Sequence, residues 1–396
     1  MKNVKVLAIV GVVIALYYLV YYIYVGLLNP IPALGDSYSY HIPISKTILD
    51  GSFLHPSNFK LSLWYQPGSS EAINSLFIFL RIPLTLSNIL PTIIIFFCCW
   101  KLALVFRLQR HYALLFALTV ITLNAIIRWQ NAVSIDIWIG VFFTLAVILL
   151  ENPQKSLIYF TKIGFVLGML IGSKYSGLFI ILTLMIFYMK RVLPLINLRR
   201  FFVFLAPFSI FGLFWYIRNY IFTQNPFYPA PLLGFKGDDN LYRYTAIWNG
   251  LLQHPLDMFN AAFGEYKMWI FSIVIGLIII IYKFIIKKEY RLSSIDKLFL
   301  IGLINFLFFL TFPTSEQTWI MVSSFRYSFP VFIPLILGTF LLAAKYKKEE
   351  FIGYLAIANM INILSMAYYP KLVLIYFPLF LLVIYLFSKS QHKTRI

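Results

Sequence analysis

The chain has 396 residues, of which 61 % are hydrophobic and 12 % charged, with a formal net charge of +19. Soluble domains carry about 25 % charged residues, and a chain this apolar cannot cover a water-facing surface, so its solvent is largely lipid. Disorder, collagen, a coiled coil and a disulfide scaffold are excluded too, the two cysteines (Cys98 and Cys99) being adjacent inside an apolar run.

A spanning helix takes about 20 mostly apolar residues, each rising ~1.5 Å through a hydrocarbon core of ~30 Å. Runs of this kind predict spans at 6–28, 88–106, 112–127, 133–150, 157–172, 175–189, 201–217, 269–286, 297–313, 327–344, 351–367 and 371–388. The expected fold is therefore an all-α polytopic membrane protein of about 12 transmembrane helices, a single integral membrane domain over 1–396. The first apolar stretch exceeds the about 7–15 residues of a signal-peptide core, which makes it an uncleaved anchor. Two long connections stand out, 29–87 and 218–268. In the first, Pro43 starts a segment that suits a short interfacial helix, and 71–82 reads as a helix lying on the membrane. We expect no soluble C-terminal domain, and find no internal repeat or low-complexity tract.

The positive-inside rule orients these spans. With Lys2 and Lys5 cytoplasmic, the inner connections carry Arg107 and Arg110, then Lys190, Arg191, Arg199 and Arg200, and then Lys283, Lys287, Lys288 and Arg291. Lys345, Lys347 and Lys348 follow, and the tail adds Lys389, Lys393 and Arg395. Most acids fall on the other side. Both termini are then cytoplasmic, and the charge excess marks a face near anionic headgroups, with no nucleic-acid partner implied.

What remains on the outer face is a small set of charges. Asp36 follows the first span and precedes Tyr38, Tyr40 and His41. It suits a turn or cap, yet acids this close to hydrocarbon are costly. Asp136 lies in the first turn of the fourth span, where a helix dipole also favours it. Together the two suit a base with an orienting acid, or oxygen ligands for a divalent cation such as Mg or Mn. Lys174, Arg218 and Arg326 stand at outer helix ends. Singly each reads as a snorkelling cation; as a set they suit an anion, with Arg apt for phosphate. Acid plus phosphate-binding cations at a lipid interface point to transfer from a lipid-phosphate donor, whose phosphate leaves without needing a proton. Aromatic residues at Trp64, Tyr65, Trp129, Trp138, Tyr216, Trp248 and Trp269 suit sugar faces, and equally an interfacial belt.

These residues resemble the GT-C superfamily of membrane glycosyltransferases, in particular its protein O-mannosyltransferase and aminoarabinose transferase types. The likeness runs through DSYSYHIP, YQPGSSEAINSL, SIDIWIGVFFTLAVILL, GMLIGSKYSGL, WYIRNYIFTQNPFYP and RYSFPVFIP, in order over 36–334. It implies an inverting transfer of a sugar from a polyprenyl-phosphate donor to a glycan, lipid or protein acceptor, outside a bacterial cytoplasmic membrane. It makes Asp36 the catalytic base and Asp136 a second acid, with Lys174 and Arg326 at the donor phosphate, and Arg218 joins them there as the third outer cation. Tyr38, His41, Glu71 and Tyr175 are the expected substrate-binding residues. Ser37 departs from the acid pair usual in the mannosyltransferases. Two rival readings are a transporter or lipid flippase, and a surface-polysaccharide polymerase or ligase using Arg243, His254 and Lys267 of the second loop.

Overall fold

The computed structural model of the chain describes residues 2–32, 35–56, 59–238, 244–315 and 318–361. It is about 78 % helical. The first helix, α1 (Lys2–Leu28), is apolar around its circumference and stops before Asn29-Pro30. A π-helical turn, Ser37–His41, leads into α2 (Ile42–Asp50), which has Pro43 in its first turn and ends on Gly51 at φ +79°. Proline suits that start because its missing N–H has no intrahelical partner there, and only glycine takes the left-handed C-cap without strain. α3 (Glu71–Phe79) is the second α-helix of the first loop, which also holds 3-10 turns at Ser52–Leu54, Ser62–Tyr65 and Leu84–Leu86.

Next come α4 (Ile89–Val105), α5 (Arg110–Ile121), α6 (Asn124–Ile127), α7 (Asp136–Glu151), α8 (Leu157–Ser173) and α9 (Ser176–Val192). α10 (Leu198–Phe208) runs through a π-helical turn into α11 (Phe214–Thr223). The second loop holds α12 (Ile247–Gln253) and α13 (Pro255–Tyr266), which continues towards α14 (Phe271–Ile281). α15 (Ser294–Thr311), α16 (Thr318–Ser323), α17 (Phe329–Lys345) and α18 (Glu349–Ile361) follow. Among the described residues one small sheet occurs, with β1 (Tyr244–Ala246) antiparallel to β2 (Pro313–Ser315) and Thr245 opposite Thr314.

The protein is an all-α membrane protein. Among the described residues, six helical stretches are long and apolar enough to cross a bilayer: Asn3–Leu28, Leu84–Val105, Ser176–Leu195, Leu198–Thr223, Pro255–Ile286 and Ser294–Thr311. Arg110–Ile121, Leu157–Ser173 and Phe329–Lys345 are apolar but shorter. Each expected window inside the described residues holds helix, though 112–127 is split between α5 and α6. The window 371–388, the end of 351–367, the basic tail and Arg243 lie outside the described residues.

α7 and α17 are buried along most of their length and form the centre, against α4, α8, α9 and α15. α1 instead presents Ile9, Val13, Val20 and Leu27 outward, as a lipid-facing helix does. α8 meets α10 and the following turn through Gly164, Gly168 and Gly172, one helical turn apart. A Cβ on Gly172 would overlap the Phe211 carbonyl, and one on Gly168 would stand 3.0 Å from Phe208 Cα. Small residues at this spacing let helix backbones approach, which is how helices associate where lipid removes the hydrophobic driving force. At the C-terminal end of α7, Glu151 accepts from Tyr188 Oη (2.6 Å) and Arg191 Nη1 (3.1 Å) and pairs with Lys297. That knot ties α7, α9 and α15 at the end opposite Asp136.

Candidate active site

Four charged side chains converge where α7, α9 and α17 begin. Asp36 comes from the turn after α1, and Asp136 is the first residue of α7. Lys174 sits in extended backbone (φ −161°, ψ 146°) between α8 and α9, so its side chain leaves the helix axis there. Arg326 lies in the 3-10 turn Ser324–Tyr327 that feeds α17.

Lys174 Nζ donates to Asp136 Oδ1 at 3.1 Å, and Arg326 Nε stands 3.1 Å from Asp136 Oδ2, an ion pair without hydrogen-bond alignment. Arg326 Nη2 donates to Asp36 Oδ2, and also to Tyr327 Oη at 2.7 Å. The ammonium of Lys174 lies 2.9 Å above the Tyr327 ring centroid, and the Arg326 guanidinium 4.3 Å from that of Trp129. Both cations therefore rest on aromatic faces, which attract them electrostatically. Burial differs sharply: the side chains of Asp136 and Arg326 are 5 % and 4 % exposed, that of Asp36 43 %.

Asp36 opens onto a cavity of about 800 Å³ whose wall includes Lys174, Arg326, Tyr40, Trp129 and Tyr327. Its other flank is greasy, formed by Phe179 and Ile180 of α9, Phe308 and Phe309 of α15, and Phe312 just beyond it. Phe179 bridges the two helices, its ring 5.2 Å from that of Phe308 and 6.2 Å from that of Phe312.

The expected site residues divide accordingly. Asp36, Asp136, Lys174 and Arg326 come together, and Tyr175 joins the cavity wall with its hydroxyl donating to the Tyr228 carbonyl at 2.6 Å. Asp136 is the surprise within the set, since it lies behind the two cations and takes no part in the wall. Arg218 is a correction. It faces the first loop, donating to the Tyr65 carbonyl at 2.7 Å and resting 4.8 Å from the Trp215 ring, because α11 turns that side towards residues 62–66. Tyr38 points away from the cavity and is exposed. His41 and Glu71 pair with each other in a buried contact, Nδ1 to Oε1 at 3.0 Å, which joins the first-loop helices and leaves neither on the wall. His254 and Lys267 are likewise off the wall.

Sequence reasoning offered Trp129 only as one of several aromatics suited to a sugar face or to an interfacial belt, and missed the cavity roles of Tyr327 and Arg128. Tyr327 carried a signal in its adjacency to Arg326. Arg128 carried none, since it reads in the sequence as a snorkelling arginine. Arg128 contributes a further cation to the wall, its Nη2 2.6 Å from Glu265.

The donor set does not suit a divalent cation as it is arranged. Asp36 and Asp136 are each held by Arg326, Asp136 also by Lys174, and a metal ion would have to share that space with two positive charges. No cluster of three or more acidic, histidine or cysteine side chains with metal-binding geometry occurs among the described residues.

The electrostatics follow from these contacts. Burial alone would raise the Asp36 carboxyl, but the charge and hydrogen bond of Arg326, with His41 and Lys174, hold it below the ordinary carboxylate range. Burial pulls Lys174 below the ordinary lysine value, Asp136 opposing and Arg326 reinforcing that shift. Comparison with protein-family models, curated proteins and solved structures returns no match.

Proposed function

We propose that the protein is a membrane glycosyltransferase of the GT-C type, moving a sugar from a polyprenyl-phosphate donor to an acceptor hydroxyl with inversion. The observation that carries this reading is one half-exposed carboxylate, Asp36, fixed beside buried Arg326 and partly buried Lys174 at a cavity whose far flank is apolar. A lipid-phosphate sugar needs those parts in that order. A greasy flank takes the prenyl chain, cations meet the phosphate, and a base faces the sugar carbon from the side of the incoming hydroxyl.

In this mechanism Asp36 accepts the proton of the acceptor hydroxyl as its oxygen bonds to the anomeric carbon. The bond from that carbon to the phosphate oxygen breaks, and Lys174 and Arg326 stabilise the charge that develops on the phosphate. Asp136 acts through the cations, holding both in position from behind. The reading also assigns about 12 spans with both termini cytoplasmic, and sets the cavity on the external face of a bacterial cytoplasmic membrane. Residues 36, 136, 174 and 326 then share that face, and the Glu151 knot the inner one.

The test is transfer of label from radiolabelled polyprenyl-phosphate sugars by the purified protein in nanodiscs, with glycan, lipid and peptide acceptors. Asp36→Asn should lower turnover by roughly a hundredfold or more, the usual loss when a general base is removed. Lys174→Met should act chiefly by raising the donor KM. Full activity in Asp36→Asn would remove Asp36 from the chemistry, and lipid movement without transfer would favour a flippase.

A further inference from the structure

Arg326 is asked to serve two partners that compete for one edge of its guanidinium. The base needs an open flank to receive an acceptor hydroxyl, and the phosphate needs a guanidinium edge with free N–H groups. Yet Asp36 sits on Nη2 of the same guanidinium. The two carboxylates that share Arg326 are not equivalent. Asp136 is sealed, at 5 % exposure, approaches Nε and is held a second time by Lys174. Asp36 is 43 % exposed, pairs with Arg326, and faces the cavity. One partner is an anchor and the other can leave.

Resting on the glycosyltransferase reading, we propose that Arg326 exchanges partners during the reaction, the donor's phosphate taking the guanidinium edge that Asp36 holds. Asp136 keeps Nε and Lys174 in place throughout, so the guanidinium does not move when its outer partner changes. A planar guanidinium presents its N–H groups in a fixed fork that suits a phosphate's oxygens at least as well as a carboxylate's. Released from Arg326, Asp36 regains the basicity that the ion pair suppresses, and it does so only with the donor in place. The donor therefore binds before the acceptor, and no acceptor is activated at a site without a sugar to receive.

The charges balance through the step. The resting cluster of Asp36, Asp136, Lys174 and Arg326 is neutral, and a phosphodiester donor adds one negative charge. As the acceptor oxygen bonds to the anomeric carbon, the electron pair of the breaking bond goes to the phosphate oxygen, giving a monoester dianion. The acceptor's proton goes to Asp36, which becomes neutral, so the site still carries one net negative charge. Protonated Asp36 cannot reclaim Arg326. Once it loses the proton it competes for the guanidinium again, which helps expel the lipid phosphate.

The distinguishing experiment is binding of polyprenyl monophosphate to the nanodisc-embedded protein, without sugar or acceptor. Asp36 as a base alone predicts that any gain in Asp36→Asn comes only from the lost negative charge and persists in an Arg326→Gln background. Exchange predicts that Asp36→Asn binds it about threefold to fivefold tighter, the scale of a partly exposed ion pair removed from competition. Asp36→Ser should show the same gain, which guards against an amide-specific effect, and thermal unfolding of both variants checks that they fold. Arg326→Gln should bind more weakly and show no gain when Asp36→Asn is added. Equal or weaker binding by both Asp36 variants overturns the exchange. Absence of binding by wild type and by both variants instead overturns the donor reading on which it rests. A parallel titration with inorganic phosphate separates the sources: a gain there as well assigns the effect to the headgroup, and a gain with the lipid alone requires the chain in the apolar flank.

Discussion

At Arg326 one guanidinium serves Asp36, Asp136 and Tyr327 at once, and Tyr327 in turn supports Lys174 on its ring face. Tyr327 thus links the two cations through different parts of one side chain. Tyr327→Phe keeps the ring under Lys174 and removes the hydroxyl that accepts from Arg326, whereas Tyr327→Leu removes both. A hydrogen bond to a charged group contributes about 1.5–3 kcal/mol. We expect Tyr327→Phe to raise the donor KM by roughly tenfold, and Tyr327→Leu by clearly more, as measured by initial rates against donor concentration. Equal KM values for the two variants would assign Tyr327 a packing role only. The residue types at this site were legible in the sequence, because carboxylates and arginines stand out in an apolar chain. Their roles were not. Asp36 and Asp136 look alike as outer acids, and only packing buries one behind the cations and leaves the other open.

Among the elements, α8 is the one whose position the site needs most, since Lys174 follows its last turn. Its Gly164, Gly168 and Gly172 face α10 and the turn 209–213, and Gly172 has no room for a Cβ against the Phe211 carbonyl. Gly172→Leu should prevent the two segments from packing, seen as loss of the monodisperse folded protein in detergent. Gly164→Ala should also lower the thermal midpoint, since its Cβ would run into the Phe204 carbonyl. An unchanged midpoint for Gly172→Leu would mean that the backbones separate freely. Helix positions were readable from hydropathy, and Pro43 marked the start of α2 as its stereochemistry requires. The break between α5 and α6 was not readable, because Thr119, Thr122 and Asn124 are isolated polar residues in an otherwise apolar run 112–127 that holds no glycine or proline.

On the scale of the whole molecule, charge is sorted to two ends. The Glu151 knot with Tyr188, Arg191 and Lys297 closes one end of the bundle, and the Asp36–Asp136–Lys174–Arg326 cluster lies at the other. Glu151→Gln would leave Lys297, 10 % exposed, without its carboxylate. Removing one partner of such a buried pair costs about 3–5 kcal/mol. The variant should therefore unfold at lower temperature while the donor KM of the folded fraction stays at the wild-type value. A changed KM would mean that the two ends are coupled through α7.

The amino-acid sequence by itself determined that this chain lives in lipid, where its helices run, and which few charges are too expensive in that solvent to be incidental. Hydropathy and the energetic cost of charge are local properties, so they can be read one segment at a time. Only the tertiary structure decided that Arg218, Tyr38, His41 and Glu71 face elsewhere, that Asp136 is buried behind the cations, and that Trp129 and Tyr327 belong to the cavity. Those outcomes depend on which face each helix turns towards its neighbours, and that is set by packing between segments from 30 to 290 residues apart.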